Sequence, residues 1–464
     1  MGKHFESKRK VLTASRIVIT LFQIMVFGCV WFAYYNFFAF RSHRIMGGIV
    51  TLFLYYIIYD SLARLYKAFK VGQFTIGETL FSQLLSFGIV DLIMYVECCL
   101  IARGYVNILP GFLAVLIQLL GTAVWAVAAK KYYMEHVPAS ETVLIYGDDD
   151  VDSFQEKLEG KYSHLFHIRQ KIQASEKPDV LYAAAEEAET VILYRVGYRK
   201  KAALMRFCTD RKKTFYVTPT VADIIAQGYE NRHFIDNPLM KYEGNKETFT
   251  RDISKRIMDI TISLLGLIIT LPITLVTMLA IKIEDGGSIF YTQERYTKDW
   301  KKFKILKFRS MVQDAEKNGE LVCKENDNRV TKVGSVIRRF RIDEIPQLLN
   351  VLKGDMSLVG PRPERVENME KYTQEIPQFS YRLRVKSGLT GYAQLYGKYN
   401  TPAYDKLRLD LIYIENQSFV MDLKLILLTF KILFTPESTE GFSEEAAKTL
   451  AETEVFGEKV KGVL

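Results

Sequence analysis

Two stretches without a charge constrain this chain more than any other feature. Ile17–Phe40 runs for 24 residues and Gly104–Ala129 for 26. Each exceeds the roughly 20 residues that a helix needs to cross a hydrocarbon core. Inside a bilayer only a helix or a closed barrel satisfies every backbone group, so both runs read as transmembrane helices. Ile45–Ala63 makes a third with one acid, Asp60, and Thr79–Ala102 a fourth with two, Asp91 and Glu97. Residues 1–135 are therefore expected to form a four-helix transmembrane bundle. No small-residue cleavage site follows the first span, which argues against a removed signal peptide. For the three acids, polar contact between helices fits better than transport.

Loop charges orient the bundle. Lys3, Lys8, Arg9, Lys10 and Arg16 precede the first span; Arg64, Lys67 and Lys70 separate the second and third; Lys130 and Lys131 follow the fourth. The other loops hold only Arg41, Arg44 and Arg103. This bias puts both ends of the bundle in the cytoplasm. It also explains the net charge of +9: residues 1–130 carry twelve Lys and Arg against five Asp and Glu, and the rest carries 50 against 48. A basic nucleic-acid-binding module would cluster its cations in a soluble domain, so that class is excluded. Five cysteines, Cys29, Cys98, Cys99, Cys208 and Cys323, show no C-x-x-C spacing. They read as reduced packing residues, not a disulfide scaffold.

After Pro138 the pattern becomes strand and helix in alternation. Strands are expected at Thr142–Gly147, Leu165–Ile172, Thr190–Tyr194 and Thr214–Thr218. Helices are expected to about Gly160, over Asp179–Ala188 and over Tyr198–Lys212. Such alternation predicts a small doubly wound, Rossmann-like α/β domain with a parallel sheet, over residues 136–235. Its first turn reads Gly147-Asp148-Asp149-Asp150. Three carboxylates there would repel a pyrophosphate, and the G-x-G-x-x-G glycines are absent. A ligand-free scaffold or dimerisation module fits better than a nucleotide site.

Beyond a linker at 236–250, Ile257–Ile283 is apolar but contains Asp259 and is interrupted by Pro272. Lys246, Arg251, Lys255 and Arg256 precede it, and Lys282, Arg295 and Lys298 follow. Cations on both flanks oppose a full crossing, and Pro272 removes a backbone donor mid-helix. A re-entrant helix over 256–283, breaking at Pro272 and returning to the same face, fits both facts.

The strongest chemical signal is Arg338-Arg339-Phe340-Arg341-Ile342-Asp343-Glu344-Ile345-Pro346-Gln347, continuing through an apolar helix to Gly354-Asp355. Pro346 suits a first helical turn and Gly354 a stop. The two carboxylates would then sit at a helix N-terminus amid arginines, a setting that favours anions and phosphates. A carboxylate held against a phosphate is a plausible nucleophile. Its neighbour would hold Mg²⁺, a hard ion that takes oxygen ligands. An ordinary acidic helix cap is the competing reading of this segment by itself. Around it stand Lys307-Phe308-Arg309-Ser310-Met311, Val359-Gly360-Pro361-Arg362-Pro363 and Ser387-Gly388-Leu389-Thr390-Gly391-Tyr392-Ala393-Gln394. Arginines on stiff elements suit phosphate recognition.

Together these motifs make Arg251–Phe434 resemble the catalytic domain of the large monotopic phosphoglycosyl transferases. These are bacterial sugar transferases that start polysaccharide assembly on polyprenyl phosphate. The resemblance implies a catalytic α/β domain with a re-entrant membrane helix over 251–440, on the cytoplasmic face of the inner membrane. It implies a two-step reaction: Asp343 attacks a UDP-sugar and releases UMP, then undecaprenyl phosphate attacks the sugar-phosphoryl aspartate. Glu344 corresponds to the second acid of the dyad, and Asp343 and Glu344 to the Mg²⁺ ligands. Lys307, Arg338 and Arg362 match the family's phosphate-binding cations, and Arg309 joins them as a substrate-binding candidate. A homodimer is also expected.

Two departures stand out. Tyr392 replaces the commoner Trp, and Leu395-Tyr396 the commoner Val-Asn, in a region that bears on sugar identity. Asp405, Lys406, Arg408 and Asp410 read as structural ion pairs as readily as site residues. Val420–Phe434 is too short to span comfortably and reads as an interfacial amphipathic helix ahead of a core helix. Residues 441–464 form an acidic tail. A transporter has no use for the phosphate-binding constellation, and an inactive tether has none for an intact Asp343-Glu344 pair.

Overall fold

The computed structural model describes residues 2–39, 44–72, 74–147, 151–234, 237–243, 249–313, 329–397 and 401–433. The acidic turn Asp148–Asp150, Arg41, Lys246, Cys323 and the tail 441–464 lie outside the described residues. The chain divides into two compact units, Met1–Thr218 and Pro219–Leu464.

In the first unit, α1 (Gly2–Val30) passes through a π-helical turn, Trp31–Tyr35, into α2 (Asn36–Ala39). Next come α3 (Arg44–Leu65), α4 (Ile76–Ala102) and α5 (Leu109–His136). A capping box between Thr75 and Glu78 starts α4, and Pro110 stands in the first turn of α5, where a missing N–H leaves no bond unmade. Four helices of this unit are long and apolar enough to cross a membrane, and one of the second unit is as well. The chain is a membrane protein. Because lipid is as apolar as leucine, burial alone does not hold such helices together. Hydrogen bonds link them instead: Gln23 donates to Thr122 (2.9 Å), Gln118 to Tyr55 (2.9 Å) and Tyr59 to Gln83 (2.7 Å). Asp60 accepts from Arg16 at 2.6 Å and Arg64 at 2.7 Å. Arg64 is thus engaged with Asp60, while Asp91 lies beside Tyr55 of α3 and Gln118 of α5.

The same unit contains β1 (Ser140–Tyr146), α6 (Asp152–Tyr162), β2 (Phe166–Gln173), α7 (Pro178–Glu187), β3 (Thr190–Tyr194), α8 (Tyr198–Asp210) and β4 (Thr214–Val217). The sheet is fully parallel in the order β2-β1-β3-β4. One face packs Val143, Val191 and Leu193 with Leu181, Ala185 and Leu204; the other packs Leu144 and Ile192 with Val151 and Phe154. Both faces are covered, which is why the central strands are continuously apolar rather than alternating. Cys29, Cys98, Cys99 and Cys208 are free thiols.

The second unit opens with α9 (Val221–Ala226), whose Ile224 is buried in the unit's core. A hairpin of β5 (Glu230–Phe234) and β6 (Asn237–Lys241) precedes α10 (Phe249–Asp285), which has Pro272 inside it. Antiparallel β7 (Phe290–Tyr296) and β8 (Lys302–Phe308) follow. Then come α11 (Lys332–Arg339), a 3-10 turn over Ile342–Glu344, and α12 (Gln347–Lys353). The parallel pair β9 (Ser357–Val359) and β10 (Gly388–Thr390) flanks α13 (Val366–Glu375) and a 3-10 stretch, Pro377–Arg384. The unit ends with α14 (Tyr392–Tyr396), α15 (Ala403–Glu415) and α16 (Phe419–Leu433).

Polar residues at both ends of α10 explain why its apolar run is interrupted. Asp259 accepts from Ser357 Oγ (2.8 Å) and the Leu358 amide (3.0 Å). Arg256 donates to the Val351 and Leu352 carbonyls at 2.7 Å, satisfying the open end of α12. At the other end Glu284 accepts from the Lys332 amide (2.8 Å), capping α11. Between them Ile268, Ile269 and Val276 are exposed. One face of α16, Leu425 and Leu428, lies in the core, and Asp422 pairs with Lys255 at 2.9 Å. Val420 and Phe430 stay exposed, so α16 is a core helix with an apolar outer face.

Arg382 and Asp410 form a buried pair at 2.6 Å, and Arg382 also donates to the Arg362 carbonyl at 3.0 Å. Removing one partner strands a buried charge. Asp410→Ala should therefore cost about 3 kcal/mol, the low end of the range for such losses, since Glu364 remains at 3.7 Å. Thermal unfolding in detergent reads this; a variant as stable as the parent would show that the pair carries no weight.

Candidate active site

Four separated motifs converge through backbone and side-chain locks. Asn350 of α12 accepts from the Leu306 amide (2.9 Å) and donates to the Lys304 carbonyl (2.8 Å), fixing α12 against β8. That lock sets Lys307 beside the dyad turn. Gly360 donates to the Thr390 carbonyl and Gly388 to the Pro361 carbonyl, both at 2.9 Å. A Cβ on Gly360 would lie 2.3 Å from the Lys386 carbonyl, so only glycine lets these loops meet. Between Pro361 and Pro363 the Arg362 backbone has little freedom, and Arg382 holds its carbonyl.

Arg341, just before the dyad, has φ of 53°, a left-handed conformation that non-glycine residues seldom adopt. It folds the chain between α11 and the 3-10 turn. The acids thus sit on that turn, one step before α12, rather than in its first helical turn; Pro346 is the N-cap, and Gly354 ends the helix at φ 90°.

Glu344 accepts from Lys307 Nζ at 3.0 Å and from Arg362 at 3.1 Å. Burial opposes its charge, but Lys307, Arg362 and Arg341 together hold its carboxyl well below the usual carboxylate range. Asp343 is buried, and among the described residues no hydrogen bond or ion pair ties its carboxylate. Burial pushes it upward, Lys307 pulls it back, Glu344 adds to the rise, and Arg338 and Arg362 counter it. The net direction is upward, because burial outweighs the cations around it. Adjacent carboxylates with opposite shifts are the usual mark of divided roles.

Arg338 donates to Ser310 Oγ at 3.0 Å and acts on Asp343 through its charge. Arg309 is buried against Asp285 at the end of α10 instead of meeting the dyad. Among the described residues no three His, Cys, Asp or Glu side chains group as a metal site. The two carboxylates nevertheless suit Mg²⁺, which usually binds through one or two carboxylates plus substrate phosphates. Asp343, with no direct partner, is the more available oxygen donor.

The sequence did not single out Asn350, Gln347, Arg382 or Arg295 as site-builders. Asn350 and Gln347 stand within the dyad motif as polar residues in an apolar helix, which was a usable signal. Arg382 carries no local signal. Asp405 pairs with Arg408 at 2.8 Å and Asp410 with Arg382, so these acids are structural.

Residues 250–436 match the family model described as bacterial sugar transferase. A UDP-N-acetylgalactosamine-undecaprenyl-phosphate N-acetylgalactosaminephosphotransferase of Aeromonas hydrophila is 41% identical over 184 residues, 39% of this chain and 44% of that protein. A putative undecaprenyl-phosphate N-acetylgalactosaminyl 1-phosphate transferase of Bacillus subtilis is 54% identical over 153 residues, 33% of this chain and 86% of that protein. A UDP-glucose:undecaprenyl-phosphate glucose-1-phosphate transferase of Klebsiella pneumoniae is 42% identical over 182 residues, 38% of this chain and 39% of that protein. The chain thus spans less than half the length of two of these relatives.

The opposed shifts of the dyad predict opposed effects on stability. A raised folded pKa means that Asp343 costs stability as pH rises above its unfolded pKa, and the cost is complete once pH exceeds the folded one. Asp343→Asn should be at least as stable as the parent at pH 7. A depressed folded pKa means that Glu344 adds stability above its unfolded value and loses it as pH falls. Glu344→Gln should lose about 1.5–3 kcal/mol, the scale of a charged hydrogen bond. Apparent melting temperatures at pH 7 test both; two losses of equal size would contradict the division.

Proposed function

Because the chain belongs to the bacterial sugar transferase family, we propose that it transfers a sugar 1-phosphate from a UDP-sugar to undecaprenyl phosphate, releasing UMP. This is the first membrane step of capsule, exopolysaccharide or O-antigen synthesis. The observation that carries the reading is the Asp343-Glu344 pair: one buried carboxylate without a direct partner, beside another held by Lys307 and Arg362. The relatives' printed names supply the undecaprenyl phosphate and nucleotide-sugar chemistry.

In the first step Asp343 Oδ attacks the β-phosphorus of the UDP-sugar. The bond to the bridging oxygen breaks, and UMP leaves with that oxygen. In the second step an oxygen of undecaprenyl phosphate attacks the same phosphorus and displaces Asp343, which returns as a carboxylate. Lys307, Arg338 and Arg362 oppose the charge that gathers on the phosphoryl oxygens. Glu344 holds Lys307 and Arg362 in place and serves as the second acid. Mg²⁺ held by Asp343 and Glu344 would neutralise phosphate charge. Arg309, paired with Asp285, acts at a distance as a support for the end of α10.

The four N-terminal helices form a bundle with both ends in the cytoplasm, and α10 is re-entrant in the inner membrane. Its support is that Arg256 and Glu284 hold opposite ends of one segment. Both ends thus return to the one short segment, Lys332–Leu352, that carries the dyad. The middle sheet domain is a ligand-free scaffold or a module for pairing two copies.

Two outcomes follow. Purified protein given undecaprenyl phosphate, Mg²⁺ and a panel of UDP-sugars should release UMP from at least one; UDP as the product would mean direct glycosyl transfer and sink the reading. Glu344→Gln should lower the rate about 10²-fold, the scale of acid–base participation. For topology, single cysteines at Ser254 and Ser288, in a background free of the native five, should label only from the cytoplasmic side. Labelling of Ser288→Cys from outside would make α10 a full span.

A further inference from the structure

A cleft beside the dyad is lined by Arg295, Lys307, Gln347, Arg362 and Gln394, with Ile305 and Leu389 among its apolar walls. Lys307 and Arg362 already meet Glu344. Of the four other polar residues that line it, Glu364 lies 3.7 Å from Arg382, and Arg295 Nε, Gln347 Nε2 and Gln394 Oε1 are buried atoms with no partner among the described residues. Buried polar atoms are almost always satisfied, and these three belong to residues that line one cleft, where a ligand can satisfy them.

Their chemistry narrows it. Arg295 stands on β7, and its Nη2 is spent on Gln293 at 2.6 Å. Burial and the charges of Arg365 and Arg362 push it down to about 10. It remains a cation at neutral pH, and the two neighbouring cations, Arg365 and Arg362, outweigh the one carboxylate, Glu364, which favours an anion. Gln347 offers a second N–H donor. Gln394 donates its Nε2 to the Leu389 carbonyl at 3.3 Å, which assigns the amide and leaves Oε1 as the free acceptor. Two donors beside an acceptor fit a phosphate whose neighbouring group carries an O–H or N–H.

We propose that Arg295, Gln347 and Gln394 form the subsite for the sugar phosphate itself, with phosphoryl oxygens on Arg295 and Gln347 and a hydroxyl or acylamino N–H of the sugar on Gln394 Oε1. This rests on the transfer reaction proposed above and assigns its specificity contact. The sugar phosphate is the group that stays bound through both steps, while UMP leaves after the first. A contact to it acts in both half-reactions, whereas a contact to the nucleotide acts only in the first.

The test measures the two half-reactions separately in the full-length protein. UMP release from UDP-sugar without lipid reports the first; consumption of the preformed phosphosugar enzyme by undecaprenyl phosphate reports the second. Gln394→Leu should slow each about three- to tenfold, the worth of one neutral hydrogen bond. Arg295→Met should slow each about 10- to 100-fold, the worth of a charged one, and Arg295→Lys should recover part of the loss. In wild type, a deoxy-sugar donor lacking the contacted group should lose as much as Gln394→Leu does, and the two losses should not add. Slowing of the first half-reaction alone would assign the cleft to the nucleotide and overturn the proposal. So would unchanged rates in both, or full additivity for every deoxy sugar. If wild type releases no UMP from any donor, it is the transfer reading that fails instead.

Discussion

The second unit is organised by what α10 must do at both ends. Its middle is apolar and exposed, suited to lipid, and in lipid no backbone or charge goes unpaired cheaply. Three of its charged groups are accordingly placed where protein receives them. Arg256 closes α12, Glu284 opens α11, and Asp259 meets the start of β9. Those three contacts surround the dyad segment. The helix that meets the membrane is thus also the clamp on the chemistry, and a shift of one end would be felt at Asp343.

Inside that clamp the electrostatics are uneven by design of position rather than of residue type. Asp343 and Glu344 are neighbours with the same functional group, yet cations at 3.0 Å and 3.1 Å engage only Glu344. The left-handed Arg341 sends the chain into a 3-10 turn, and that turn points the two carboxylates into different surroundings. Buried ion pairs give little net stability when desolvation is counted. The Lys307–Glu344–Arg362 cluster is better understood as fixing two cations beside Asp343 than as holding the fold together. Arg382 and Asp410 repeat the arrangement one layer deeper, supporting Arg362 through its carbonyl.

Much of this was legible in the sequence because single-residue physics decides it. Charge-free runs longer than 20 residues gave the N-terminal helices, and alternation of apolar strands with helices gave the parallel sheet. What was not legible is whatever depends on partners distant along the chain. Nothing in the sequence says which carboxylate Arg64 meets, and only packing chose Asp60. Arg309 looked equivalent to Lys307 on an alternating strand, but the end of α10 captures it through Asp285. For α16 the outer apolar residues suggested a membrane surface, while Leu425 and Asp422 face the core. Burial of Asp343 was invisible too, because helix position and nearby arginines signal stabilisation, and desolvation appears only in three dimensions.

The central claim is that Asp343 is the nucleophile, and its most direct measurement is the mass of the peptide that contains it. Protein incubated with UDP-sugar and Mg²⁺ in the absence of lipid, quenched in acid and digested, should carry one glycosyl phosphate, of the mass set by the donor sugar, on Asp343. Undecaprenyl phosphate added before the quench should remove it. An adduct on any other residue, or UMP released in stoichiometric amount with Asp343 unmodified, would contradict the account.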